Sequence, residues 1–225
     1  MKHDFLPIWK RTRRALKHRN ALLRRGRIQP QEIAVWEQEL AIWGEQMDAL
    51  RFEWFQDFLP VFEETLKGLL PLPGLSLHYA RGWDKERTLA NVLHDARQTD
   101  QQMGFTQQGP QRADLRIRIH KQPAVEVLSR GQQKLVVSAL KLAQGRFLER
   151  RTQRRCIYLI DDLPAELDEK NRYQFCELLE DMQCQAFITS VEPSALRSTW
   201  KPDTCVNMFH VKHTKPGVSQ LVSDS

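Results

Sequence analysis

A short apolar run in the C-terminal half of the chain ends in two adjacent acids. Cys156–Ile160 is apolar throughout, and Asp161 and Asp162 follow it directly. A strand with apolar residues at every position is typical of a parallel sheet, because helices cover both faces of such a sheet. The sequence therefore predicts a buried parallel strand that delivers two carboxylates at its C-terminal end.

Helical and strand-like segments alternate around this run. A helix is predicted over residues 131–150, and a second helix over residues 168–183 leads to a strand at Gln185–Thr189. Two more strands are predicted on either side of a turn at Lys215–Gly217. Alternation of this kind indicates an α/β fold, a parallel sheet with helices.

The acid pair by itself has two interpretations. Nucleotide-binding α/β folds hold Mg²⁺ with carboxylates at this position, since the hard cation needs oxygen ligands and the ligand crevice lies at the carboxyl ends of the strands. Acids at strand ends are also common as solvated turn residues. The pair therefore leaves a magnesium site and an ordinary turn both open.

The segment before the first of these helices, Leu128–Lys134, has the sequence LSRGQQK. Ser129 can cap the helix, and Gly131 allows a ligand to approach the backbone. Unpaired N–H groups and the helix dipole favour an anion at such a helix start. An ordinary helix cap is the alternative, because serine is a common residue at that position.

A third segment, Leu163–Asp168, follows the acid pair and leads into the next helix. The order of LSRGQ, a helix, an apolar strand with a double acid and a Leu-Asp turn resembles the C-terminal half of ABC-type ATPases, where these are the signature motif, Walker B and the D-loop. The finer resemblance is to the RecF family of bacterial recombination-mediator ATPases in the SMC-like ABC group. It extends over almost the whole chain, through the stretches FLPIWKRTRRALKHRNALL, GPQRADLRI, LSRGQQKL, ALKLAQG and CIYLIDDLPAELD.

The resemblance implies a role for each motif residue and an ABC-ATPase-like C-terminal lobe. The implied site residues are Asp161 as a Mg²⁺ ligand, Asp162 as the catalytic residue that orients or deprotonates the attacking water, Ser129, Gly131 and Gln132 as contacts to a nucleotide on a partner subunit, and Asp168 at the dimer interface. These are positioning and charge-stabilising roles, which phosphoryl transfer mainly requires.

The same resemblance implies a cytoplasmic protein of DNA repair, recombination, replication and the SOS response, with ATP and Mg²⁺ as cofactors. Such a protein forms a homodimer on ATP and binds double-stranded DNA and gap junctions. It aids RecA loading together with RecR.

The phosphate-binding P-loop, G-x-x-x-x-G-K-[S/T], does not occur in the sequence. Gly104 and Gly109 have the right spacing, but Pro110 and Gln111 follow them instead of lysine and a hydroxyl residue. The chain thus resembles a RecF without its first portion, which holds the P-loop in that family. The alternative is a non-catalytic DNA- or protein-binding module that retains degenerate ABC motifs.

The N-terminal segment is basic and helical. Residues 1–30 contain ten lysines or arginines and one acid, whereas the other 195 residues have a net charge of −3. One helix face holds the candidate DNA-binding residues Lys10, Arg13, Arg14, Lys17 and Arg24. A solvated helix face is the usual role of such a row, but the lack of interleaved acids favours contact with DNA phosphates.

A heptad pattern follows, with Trp36, Leu40, Trp43, Met47, Leu50 and Trp54 at alternating steps of four and three. It predicts a helical hairpin arm over residues 1–74, ended by Pro71–Gly74, and an ATPase lobe over 75–225 that includes a helix at Thr88–Met103.

Other classes are excluded by the sequence. Residues 1–16 lack the apolar stretch of a signal peptide, and no run is long and apolar enough to span a bilayer, so no membrane partner is expected. The four cysteines include no C-x-x-C pair, and buried free thiols are predicted.

Overall fold

The computed structural model describes residues 5–25, 28–192, 194–197, 199–215 and 218–223. The chain divides into two compact units, Met1–Phe147 and Leu148–Ser225. The boundary predicted after Gly74 lies within the first unit and stays a prediction.

The first unit begins with the predicted helical hairpin. Helix α1 spans Phe5–Leu23 and packs against α2, a helix of 40 residues over Pro30–Leu69. Pro30 stands in the first turn of α2, where its missing N–H costs no hydrogen bond. Of the heptad positions, Leu40 and Met47 are buried, Trp36, Trp43 and Leu50 are partly buried, and Trp54 is 38% exposed, so the seam faces inward only in part.

One arginine of the basic helix lies inside the protein. Arg19 is fully buried and donates hydrogen bonds to Glu37, to Asp100 at 2.6 Å, to Thr106 at 2.7 Å and to the Leu93 carbonyl at 3.0 Å. Two acids therefore compensate its charge, as a buried cation requires. Arg19 fastens α1 to the rest of the first unit and is not available to a partner.

The remainder of the first unit combines a small antiparallel sheet with helices. Its elements are β1 (Leu75–Ala80), α3 (Leu89–Asp95), α4 (Arg97–Met103), a 3₁₀ turn at Pro110–Arg112, β2 (Asp114–Ile119), β3 (Gln122–Pro123), α5 (Ala124–Val127) and α6 (Arg130–Thr152). The strand order is β1-β2-β3. The single helix predicted over Thr88–Met103 is two helices that meet at Ala96.

The second unit contains the predicted parallel pair. Its elements, after the end of α6, are β4 (Ile157–Ile160), α7 (Leu163–Glu166), α8 (Glu169–Asp181), β5 (Gln185–Ile188), α9 (Ser194–Arg197), β6 (Phe209–Lys215) and β7 (Val218–Ser223). Strands β4 and β5 pair in parallel, with Ile160 opposite Ile188. Strands β6 and β7 form an antiparallel pair; the turn predicted between them lies partly outside the described residues.

The prediction that the parallel strand is buried is wrong for one face. Ile157, Leu159 and Phe187 are 61%, 80% and 54% exposed. These alternate residues share one side of the β4–β5 pair, and no element of the described chain covers them. The unit therefore presents apolar surface of the kind that promotes association.

The state of the cysteines and the character of the helices can be compared with what the sequence predicts. All four cysteines are free, and burial raises the pKa of the Cys176 thiol to about 12. Cys176 is buried, Cys156 and Cys184 are only partly buried, and Cys205 is exposed, so the prediction of buried thiols is correct for Cys176 and wrong for Cys205. None of the helices in the described ranges is both long enough and apolar enough to cross a membrane.

Candidate functional site

The start of helix α6 is built by a reciprocal cap. The Ser129 hydroxyl accepts a hydrogen bond from the Gln132 N–H at 3.3 Å, and the Gln132 side-chain oxygen accepts one from the Ser129 N–H at 3.0 Å. This is the capping-box arrangement, in which two backbone donors are satisfied at once. The predicted role of Ser129 as a helix cap is confirmed.

Gly131 occupies the first turn of α6 without any packing requirement for glycine. A Cβ built at this residue meets no atom within 4 Å, and the residue is exposed. A glycine inside a helix is unfavourable by roughly 1 kcal/mol relative to alanine. The described chain gives no local reason for this residue, and it leaves the backbone of the first turn open to an approaching group.

The acid pair lies at the C-terminal end of β4, next to the end of β5. The Thr189 hydroxyl donates a hydrogen bond to Asp161 Oδ1 at 2.6 Å and accepts one from the Asp162 N–H at 2.8 Å. The Thr189 N–H also donates to the Ile160 carbonyl at 3.0 Å. The two strand ends are therefore tied together at the acids.

Asp162 has a backbone conformation that is uncommon for a residue with a side chain. Its φ of 45° and ψ of 52° lie in the left-handed region, which non-glycine residues seldom adopt. The Ala165 and Glu166 N–H groups donate to the Asp162 carbonyl at 3.1 and 3.2 Å. The residue is thus fixed at the point where the strand turns into α7, and such fixed outliers are frequent at functional sites.

The Leu-Asp turn after the acid pair is anchored by its leucines. Leu163 and Leu167 are buried, which anchors the segment between β4 and α8 within the second unit. Asp168 caps α8, since its carboxylate accepts hydrogen bonds from the Asn171 N–H and side-chain amide, both at 2.9 Å. Its carboxylate is exposed, and the predicted interface role stays a prediction.

The donor chemistry of the acid pair suits Mg²⁺. Among the described residues no cluster of three or more His, Cys, Asp or Glu side chains that could hold a metal occurs. Magnesium is usually held by one or two carboxylates together with waters and substrate phosphates. Asp161 is the carboxylate that would supply such a bond.

The candidate residues are divided between the two units. Ser129, Gly131 and Gln132 belong to the first unit, whereas Asp161, Asp162 and Asp168 belong to the second. The site residue that sequence reasoning missed is Thr189. The sequence gives only part of its signal: Thr189 stands at the end of a predicted strand, but the pairing of that strand with β4 is known only from the structure.

The basic face of α1 belongs to the first unit and is accessible. All five candidate DNA-binding residues, Lys10, Arg13, Arg14, Lys17 and Arg24, are exposed. The Arg13 guanidinium lies over the Trp9 ring at 5.3 Å, and Arg24 donates to the Gly104 carbonyl at 3.3 Å. The geometry leaves this face open to a polyanion.

The chain combines a helix opened by Ser-x-Gly-Gln, a parallel strand that ends in two acids and a buried-leucine turn, in the order found in ABC-type ATPase lobes. The sequence model of the RecF/RecN/SMC N-terminal domain matches residues 10–216, and the chain belongs to this family.

Individual relatives confirm the resemblance to RecF. DNA replication and repair protein RecF of Chromohalobacter salexigens is 64% identical over 213 residues, which are 95% of this chain and 59% of that protein. The RecF of Pseudomonas aeruginosa strain LESB58 is 53% identical over 219 residues, 97% of this chain and 59% of that protein. The chain thus spans well under two thirds of the length of these relatives.

A solved structure shows the same fold. The recombination mediator protein RecF-ATP of the RecFOR pathway superposes with a TM-score of 0.75 over 97% of this chain and 58% of that chain, at 22% identity. The predicted α/β class with an ABC-ATPase-like lobe is confirmed.

Proposed function

We propose that this chain supplies the signature, Walker B and D-loop half of an ATP-dependent DNA repair ATPase of the RecF type. The observation that carries the proposal is the acid pair held at the end of β4, with Asp162 fixed in a left-handed turn. Its relatives named DNA replication and repair protein RecF support the biological role. The alternative of a non-catalytic binding module shares the basic arm but needs no fixed acids.

In the proposed reaction, a water attacks the γ-phosphorus of ATP, the bond to the bridging oxygen breaks, and ADP and phosphate form. Asp162 orients the water and accepts its proton. Asp161 would hold Mg²⁺, which offsets negative charge on the phosphates when bound. Ser129, Gly131 and Gln132 would contact the γ-phosphate of a nucleotide on a partner subunit, and Asp168 would lie at the interface of this ATP-dependent homodimer.

The partner chemistry follows from the arm and from the family. The basic face of α1 would contact the backbone of double-stranded DNA near gaps, without reading its sequence. In the cytoplasm, the protein would act with RecR in loading RecA. The exposure of all five cations supports this proposal.

The catalytic proposal is tested by supplying a P-loop. The part of Chromohalobacter salexigens RecF outside the matched 59% is fused to or co-expressed with this chain, and DNA-stimulated ATP turnover is measured. We expect Asp162→Asn to lower turnover about 100-fold or more, the usual contribution of a general base. Asp181→Asn, an exposed acid at the end of α8, is the matched control. Equal turnover in both variants would refute the mechanism.

The DNA proposal is tested by salt dependence. Replacing Arg13, Arg14 and Lys17 with glutamate should reduce the slope of log affinity against log salt by about 3, since each phosphate contact contributes roughly 0.9. The control changes the same number of exposed cations on and beside β2, namely Arg116, Arg118 and Lys121. An unchanged slope in the first variant, or an equal loss in both, would remove α1 as the DNA-binding face.

A further inference from the structure

We propose that Thr189 is the positioning residue of the acid pair, a role that rests on the proposed ATPase function. Thr189 directly follows β5, and its hydroxyl bonds both acids of the adjacent strand end. Its hydroxyl meets the catalytic candidate at the backbone N–H of Asp162. Its effect on catalysis is therefore to hold the two carboxylates in place.

The hydroxyl performs two different tasks at once. A threonine hydroxyl has one proton to donate and lone pairs that accept. Its proton goes to Asp161 Oδ1 at 2.6 Å, so its lone pair receives the Asp162 N–H at 2.8 Å. The donated bond sets the orientation of the Asp161 carboxylate. The accepted bond fixes the peptide from which the Asp162 side chain projects.

The backbone adds rigidity to this arrangement. The Thr189 N–H donates to the Ile160 carbonyl, which continues the parallel ladder by one residue and fixes the backbone that bears the hydroxyl. On the other side, the Asp162 carbonyl accepts two N–H groups of α7. The left-handed peptide of Asp162 is thus held from both sides, and Thr189 supplies the side that faces β5.

The geometric part is tested by amide hydrogen exchange in the chain itself. Thr189→Val keeps the shape of the side chain and removes the hydroxyl, whereas Thr189→Ser keeps the hydroxyl. We expect the Asp162 amide to exchange about tenfold faster or more in the valine variant and to be unchanged in the serine variant, since a hydrogen bond contributes about that factor. Thr152→Val is the matched control, because the Thr152 hydroxyl bonds Leu148 and Arg154.

Two exchange results would overturn the proposal. One is an Asp162 amide with equal exchange in the wild type and in Thr189→Val. The other is a uniform increase over α8 and β5, which would assign Thr189 to the stability of the whole unit.

The catalytic part is tested in the ATPase completed with the RecF P-loop portion. Thr189→Val should lower kcat about 10- to 100-fold with little change in KM for ATP, which is the usual effect of losing a residue that orients a metal-binding carboxylate. Thr189→Ser keeps the hydroxyl and should keep the wild-type kcat. A valine variant with normal kcat would refute the proposal. If the wild-type assembly shows no turnover, the proposed function fails, and amide exchange alone decides whether Thr189 positions the acids.

Discussion

Replacing Gly131 with alanine should stabilise the protein while it impairs the proposed activity. Gly131 is the second helical residue of α6, and an added Cβ meets no atom within 4 Å, so no steric cost opposes the gain in helix propensity. The full propensity difference is roughly 1 kcal/mol in a helix interior, and about half of it, ~0.5 kcal/mol, is expected in the first turn. For a chain of this size, that corresponds to a rise in Tm of about 1–2 °C.

The assay is thermal and urea unfolding followed by circular dichroism without nucleotide. Ser129→Ala is the comparison with opposite sign, because it removes the cap of the same helix and should cost about 1 kcal/mol. In the ATPase completed with the RecF P-loop portion, the Gly131→Ala methyl group should block the approach of the nucleotide and lower turnover. A destabilised Gly131→Ala variant, or one that is stabilised with normal turnover, would refute the reasoning.

Three further predictions concern the rest of the chain. Arg19→Met should reduce the free energy of unfolding by about 3–5 kcal/mol in urea titrations, because it leaves the buried Asp100 carboxylate without its cation, while Glu37 keeps its ion pair with Arg97. Leu159→Ser should change stability by about 0.5 kcal/mol or less, since Leu159 is 80% exposed, while it raises the monomer fraction in sedimentation. Burial raises the pKa of Glu180, but hydrogen bonds from Thr204 and Lys201 outweigh it, so the pKa is lowered overall. Its stabilisation is present above the unfolded pKa and is lost as pH falls through the folded one, so Glu180→Gln should flatten the acid side of a pH–stability curve.

The parts of the fold that could be predicted are those with a local pattern. The heptad from Trp36 to Trp54 fixed the identity of the second helix, and the apolar run before Asp161 fixed a parallel strand. Ser129 could be assigned as a cap because a cap depends on a bond to a residue three positions away. In each case the controlling interactions lie within a few residues along the chain.

The parts that could not be predicted depend on residues far apart in sequence. Arg19 is buried because Glu37 and Asp100, 18 and 81 residues away, meet it inside the first unit. Its position four residues after buried Ala15 and three before buried Leu22 was the available signal. Thr189 is separated from Asp161 by 28 residues, and only the pairing of β4 with β5 brings them together.

The basic arm offers fewer cations to DNA than its sequence suggests. Arg19 is buried and compensated inside the protein. If the five exposed cations of the α1 face each neutralise one phosphate, the log-log salt slope is about −4.5. A slope near −9, as the ten lysines and arginines of residues 1–30 suggest, would require contacts beyond this face. The salt dependence therefore measures how much of the DNA contact this helix face can account for.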